Sequence, residues 1–387
     1  MGGLSFVLAA ALSLTLAVGG GAAKPQLPRV ESKLPAWVAP HAPVTVRGWT
    51  LPHARVSLLS GSRTIGTATG GRLGRFAVSG AAPAPGRYRI TVVSAGRRLP
   101  AGALRVRPIV LAAAGDVTFG DGVGSAIAAY GPEYPWREVG STFRSADIAT
   151  VNLEGVVSTR GTPVPGKPFT FRGPPAALAA AATLAGLDVV SIANNHSVDF
   201  GRQAFADTVR TARALEIATA GGGRNLAAAR RPAVLRRGGL RIAFLAYCDI
   251  EPPGFYATAD TPGTAPAVRA QIAADVRLAA GRADLVVVWF HWGIEREFTP
   301  NSRQAQLAEA ALSAGADLVL GAHPHVLQPL ERRGGHHLIA WSLGNFVFVP
   351  HSAGTERSGI LRVELDADGV RAYRLIPALA GPQPRLS

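Results

Sequence analysis

Cysteine is nearly absent from this 387-residue chain: Cys248 is the only one. That excludes an internal disulfide framework and a zinc–thiolate cluster built within the chain. Any metal must then be held by imidazole, amide and carboxylate groups. Lysine is scarce too. Lys24, Lys33 and Lys167 are the full set, so the formal charge of +15 is almost wholly arginine. The arginines are scattered in ones and twos, as at Arg97-Arg98, Arg230-Arg231 and Arg332-Arg333, with no basic stripe interleaved with aromatics. Nucleic acid is disfavoured by that pattern, which reads as a solvated, arginine-biased surface more than a dedicated polyanion groove. An acidic substrate stays compatible with it. At 48% hydrophobic residues the chain is not disordered, and its length suggests two domains.

The N-terminus lacks a Lys or Arg ahead of its apolar run. Residues 4–18 are apolar, and Gly21, Ala22 and Ala23 precede the first charge at Lys24. Residues 1–23 therefore read as an export signal cleaved near Ala23, or as an uncleaved anchor, since about 20 apolar residues span a bilayer. An exported, envelope-located protein is expected, either secreted or anchored. Residues 24–43 are Pro-rich and read as a linker. Short alternating runs with Gly and Pro punctuation over 44–107 predict a small all-β, Ig-like sandwich, a spacer or binding module.

From Ile109 the pattern changes to apolar strands ("IVLAAAG", "DIATVN", "DVVSIA", "RIAFLAY", "DLVVVWF", "DLVLGA", "LIAWSL") alternating with Ala-rich helical stretches at 176–184, 203–215, 267–280 and 302–314. This predicts an α/β domain over 108–380. In such domains ligands sit beyond the carboxyl ends of the strands. There the sequence places Asp116, Asn152 and Glu154, Asn195 and His196, His291 and Glu295, His323 and His325, and Ser342 and Asn345. Taken singly, each has a plain structural explanation: a turn, a helix cap or a core histidine. Their recurrence at successive strand ends points to a metal site suited to Zn, Mn or Fe.

The ordered series "GD", "NLE", "ANNHSVDFG", "HWGIE", "GAHPHV" and "SLGNFVF" resembles the CapA family of capsule-synthesis proteins associated with poly-γ-glutamate, itself similar to calcineurin-like metallophosphoesterases. "AGGGRNLAAARRP" resembles that family's Gly-rich segment, and the likeness runs from about Val110 to Leu375. The resemblance implies a four-layer α/β/β/α sandwich whose centre holds one or two divalent ions. By it, Asp116, Glu154, Asn195, His291, His323 and His325 would be ligands, with Glu154 bridging where two ions bind. His196 would protonate a leaving group, and Asn194 would shape the turn or donate a hydrogen bond. Asn152, Ser342 and Asn345 would support the site, and Glu295 would orient a ligand unless it is a surface carboxylate. Arg172 and Arg202 are candidates to hold an anionic substrate.

Thr118 stands where phosphoesterases place a histidine, and Asn152-Leu153-Glu154 replaces their Gly-Asp-x-x-Asp, so the first metal position is short of ligands. A bound ion would acidify water and polarise the bond under attack. The expected function is a metal-dependent hydrolase or transferase acting on an anionic cell-envelope polymer such as poly-γ-glutamate, with membrane and capsule-synthesis proteins as partners. The alternative is a non-catalytic polymer-binding scaffold. Two other readings are weak. "AWSLG" departs from the serine-hydrolase elbow at Ala340, and Gly221-Gly222-Gly223 lacks dinucleotide-binding spacing.

Overall fold

The computed structural model describes residues 27–387 except Glu251 and Pro253. The export or anchor segment, residues 1–23, lies outside the described residues. Among the described residues no helix is long and apolar enough to cross a membrane.

Alternation over 43–106 produces two facing sheets. One orders the strands Arg29–Val30, Pro43–Trp49 and Arg75–Ala81. The other orders Trp37–Val38, Arg97–Val106, Gly86–Ser94, Arg55–Ser60 and Arg63–Thr69. Every second residue points inward, so Val44, Val46, Val56, Leu58, Val78, Ile90, Val92 and Leu104 fill a shared core. Residues 24–43 were expected to be a linker, yet their described part supplies one strand to each sheet. Trp37 is the reason. Its ring packs on Gly238 and lies under the Arg107 guanidinium at 3.6 Å, while Arg107 is paired with Asp147 at 2.6 Å. The Ala39 N–H also donates to the Gly238 carbonyl at 2.7 Å, so this stretch is docked on the α/β part of the chain that carries Gly238.

The rest is a mixed α/β fold with two large sheets. In the first, the parallel strands Ala218–Ala220, Val189–Ser191, Ile148–Leu153 and Ile109–Val117 continue into an antiparallel C-terminal hairpin, Arg357–Asp366 and Gly369–Leu379. The strand reading of the sequence ended before this hairpin. The second sheet has the parallel strands Leu240–Cys248, Leu285–His291, Leu318–Ala322 and His337–Ala340, edged by antiparallel Ala233–Arg237 and Leu330–Arg333. Leu111, Ala113 and Val189 of the first sheet share a core with Ile242, Val287 and Leu320 of the second, so the sheets face each other. Helices including Pro175–Ala185 and Gly201–Ala214 cover the outer face of the first, and Arg269–Ala280 and Ser302–Leu312 that of the second.

Local signals set the helix ends. Asn301 caps Ser302–Leu312 in a reciprocal capping box with Gln304. Gly186, at φ 65°, closes Pro175–Ala185 in the left-handed conformation. Between the sheets, buried Trp289 donates its indole N–H to Thr150 Oγ1 at 3.1 Å. Trp289→Phe is expected to cost about 1–2 kcal/mol in a urea unfolding series, through the lost hydrogen bond and the space left behind.

Candidate metal centre

The parallel registers put Asn152 beside Asp116, and Asn345 beside Asp116 from the other side. The second sheet sets His291 beside Ala322, with His323 next in the chain. The carboxyl ends of both sheets therefore discharge their polar residues into one space. Asp116, Asn152, Glu154 and Asn194 are fully buried there, and His291 and His323 nearly so.

Asp116 accepts from Asn152 Nδ2 at 2.8 Å and from the His323 backbone N–H at 3.2 Å, with His325 Nδ1 at 3.3 Å. Asn194 shapes the turn and joins strands at once. Its amide donates to Leu153 O and Asn152 Oδ1, and its oxygen accepts from the His196 N–H and Ser197 Oγ. Asn195 Oδ1 lies 2.8 Å from His291 Nε2. Three imidazole Nε2 atoms ring Glu154 Oε1: His196 at 3.7 Å, His325 at 3.9 Å and His291 at 4.0 Å. Asp116, Glu154 and His325 bring ligand atoms within 4.8 Å of one another, as do Glu295, His323 and His325.

Both carboxylate oxygens of Glu154 and Nδ1 of His323 are buried without a hydrogen-bond partner. Orphaned acceptors at a fully buried carboxylate are costly unless a cation satisfies them. The spacing suits one, because two ligand bonds of about 2.0–2.2 Å across an ion span about 4 Å. His323 and His325 also hold positive φ angles of 93° and 59°, strain of the kind that clusters at ligand sites. The residues present thus fit a divalent ion. The site's charges agree. Burial, then the neighbouring Asp116 charge, pushes the Glu154 carboxyl well above its ordinary range. Burial opposes the charge on His325, but Glu154 and Asp116 outweigh it and raise the ring to about 10. Burial holds His291 well below its usual value and His323 down at about 3. At pH 7 the metal-free centre therefore holds a proton on the Glu154–His325 pair that a bound ion must displace. Titration with Mn or Zn in buffers of different ionisation enthalpy is expected to release about one proton or more per ion, with affinity rising as pH increases.

His196 stands at the edge of the cluster, close to Glu154 but held by partners of its own. Its Nδ1 meets Asp199 Oδ2 at 2.7 Å, its ring stacks on Phe171 at 4.2 Å, and Lys167 bridges Asp199 and the Asn195 carbonyl. Nε2 is left free of that clamp, 3.7 Å from Glu154 Oε1, in a residue that also lines the cleft. Burial lowers the imidazole pKa, with Asp199 opposing. Sequence reasoning passed over Lys167, Phe171 and Asp199, although Asp199 stands three residues after His196 in the same motif. A cleft of about 250 Å³ opens beside the centre, with Phe169, Phe171, His196, Glu295, Arg296 and His325 in its walls. His351, unassigned from sequence, lines it too. A larger groove of about 530 Å³, around Arg230 and Asp275, contains none of these residues.

Two positions, Arg172 and Arg202, behave differently from their sequence-based expectation. Arg172 donates to the Gly161 and Arg160 carbonyls and stacks on Phe200 at 4.4 Å, and Arg202 donates to Gly254 O at 2.7 Å. Neither lines the cleft, whose arginine is Arg296. Ser342 is buried and donates to Val326 O at 2.7 Å, and a strand, Asn345–Val347, follows it, so no nucleophile elbow exists. Thr118 is buried with its hydroxyl accepting the Gly120 N–H. Asn345 holds His325 Nδ1 at 2.8 Å and so orients a candidate ligand. Gly221, at φ 82°, packs where a Cβ would lie 2.6 Å from Ala246 O, a close approach between sheets that accounts for the first glycine of the run.

Fold and site together define a mixed α/β protein with a buried histidine–carboxylate centre compatible with metal binding. Residues 110–350 match the family described as "Bacterial capsule synthesis protein PGA_cap", and the chain belongs to that family. It is 37% identical over 190 residues to "PGA biosynthesis protein CapA" of Bacillus subtilis, covering 49% of this chain and 50% of that protein. To "Capsule biosynthesis protein CapA" of Bacillus anthracis it is 30% identical over 279 residues, covering 68% and 65%. The chain thus spans half to about two thirds of the length of these curated relatives. Among solved structures, a 5'-nucleotidase precursor from Thermus thermophilus aligns with a TM-score of 0.42 at 14% identity, over 72% of this chain and 54% of that one.

Proposed function

We propose that this protein is a metal-dependent hydrolase or transferase acting on an anionic cell-envelope polymer such as poly-γ-glutamate. The observation that carries the proposal is the ring of imidazoles around Glu154, whose two oxygens have no other partner. Asp116, Glu154, Asn195, His291, His323 and His325 would hold the ion, of Mn, Zn or Fe type, in one or two equivalents. When bound, such an ion supplies Lewis acidity at the reacting oxygen and a water acidified toward neutral pH. Asp199 fixes the His196 ring so that Nε2 can deliver a proton to a leaving group in the cleft. Phe171 and Phe348 shield that side, and Arg296 offers a cation to a polymer carboxylate.

We read the layered arrangement as the four-layer α/β/β/α sandwich of metallophosphoesterases, supported by apolar packing between the two sheets and under the helices on each outer face, and residues 44–107 as an Ig-like module set before it. An envelope location, with capsule-synthesis proteins as partners, is supported by the capsule role named for the relatives. The scaffold reading draws on Thr118, which leaves one metal position poorly supplied. To test for chemistry, Mn- or Zn-reconstituted protein is incubated with poly-γ-glutamate and with an aryl phosphate. Metal-dependent chain shortening or phenol release is the expected result. Neither product, in a protein with proven metal content, would leave the scaffold standing.

A further inference from the structure

Residues 44–107 hold eleven arginines and no Asp or Glu, and the acid-free stretch runs unbroken from Ser32 to Gly115. Across this region the charge is concentrated, not scattered. Of the eleven, Arg107 alone meets a carboxylate among the described residues. Strand alternation decides where the others point. In the five-stranded sheet Val56, Ile90, Val92, Leu104 and Val106 face the core, so Arg55, Arg87, Arg89 and Arg105 face out, and Arg98 joins them opposite outward Val93. Arg87 and Arg105 are direct cross-strand partners.

Like charges directly opposite on a sheet destabilise it, and no acid relieves this pair. The face therefore gains nothing for folding from its composition, and an anion from outside would remove the repulsion. We propose that the outer face of the five-stranded sheet, centred on Arg87, Arg89 and Arg105, is a docking surface for a linear polycarboxylate. Strands lie about 4.8 Å apart and same-face residues about 7 Å apart along a strand, a spacing at which one extended chain engages several guanidinium groups at once. Each guanidinium matches a carboxylate in a two-pronged fork. Ser57, Thr67 and Thr91 add hydroxyl donors between them. Single-stranded nucleic acid is a poorer fit. Among the described residues the one aromatic on this face, Trp37, is already covered by Arg107, leaving no ring for a base to stack on. A membrane fits less well too, because the exposed Leu51 and Leu73 lie outside these strands and none of the face's own residues is a large exposed apolar group. The inference rests on the proposed function only for the polymer's identity; the surface lies apart from the metal centre.

The test uses the full chain and fluorescently labelled poly-γ-glutamate, followed by anisotropy at about 50 mM salt, where surface charge is weakly screened. An Arg87→Ser/Arg89→Ser/Arg105→Ser variant is expected to bind about tenfold or more weakly, with its melting temperature unchanged or raised. The corresponding triple Lys variant should recover part of the affinity. A charge-matched Arg213→Ser/Arg224→Ser/Arg277→Ser variant should stay within about twofold of the parent. The proposed function is read separately, as metal-dependent cleavage by the parent protein, so a parent that binds the polymer through this face and cleaves nothing would fail the proposed function and not this one. Equal losses in the two triple Ser variants would overturn the assignment, as would undiminished binding by the first. Tighter binding to phosphatidylglycerol vesicles or to single-stranded DNA than to the polycarboxylate would also overturn it.

Discussion

A His291→Ala/His323→Ala variant is expected to emerge from reconstitution with essentially no transition metal, where the parent protein holds about one or two equivalents. The reasoning is local. His291 offers Nε2 at 4.0 Å from Glu154, and His323 keeps a buried Nδ1 with no protein partner, so removing both deletes imidazoles from a centre with little else to replace them. Elemental analysis reads the result directly. A chelator supplies a second readout that does not depend on activity. Stripping an ion bound at about 100 times its Kd removes about 2.7 kcal/mol of stability, so the parent's melting temperature should fall and the variant's should not move. His291→Ala also strands the amides of Asn152 and Asn195, so the variant starts from a lower melting temperature, and the comparison is each protein with and without chelator. Equal metal content in both proteins would remove the centre as assigned.

The second large effect is on turnover. His196→Ala should retain the metal and lose about 10²–10⁴ in rate, the usual weight of a positioned general acid. Its place supports this. The ring is clamped by Asp199 on one nitrogen and Phe171 on its face, and it lines the cleft. Asp199→Asn should lose part of the same rate without loss of metal, because the ring stays but its orientation and tautomer are no longer imposed. A protein that merely holds polymer would be indifferent to both changes. Unchanged turnover in His196→Ala, measured beside a metal-free blank, would move the proton delivery elsewhere.

Much of the centre could be read from sequence because its residues stand at strand ends and recur there, a coincidence that separate turns, caps and core histidines would not produce. Asp116, Glu154, Asn195, His291, His323 and His325 are separated by up to 209 positions yet share that signature, and the fold gathers them. Arg172 and Arg202 were misjudged because an arginine side chain is long enough to turn to any nearby carbonyl, and here each does. Lys167, Phe169 and Arg296 were passed over since a lone lysine, an aromatic in a Pro-rich loop and an arginine in a charged run carry no pattern. The segment 24–43 misled in the same way. Proline content suggested a linker, while two-residue strands are too short to leave a periodicity.

Sequence alone determined the alternation of strands and helices, the metal-ligand chemistry left open by a single cysteine, and the order of the motifs. These depend on residue type and local spacing, which the chain carries by itself. Tertiary structure alone decided which imidazoles surround Glu154, that its oxygens are left unpartnered, and that Arg87 stands opposite Arg105. Those facts depend on register between strands and on which faces are buried, and both are settled only when distant segments pack together.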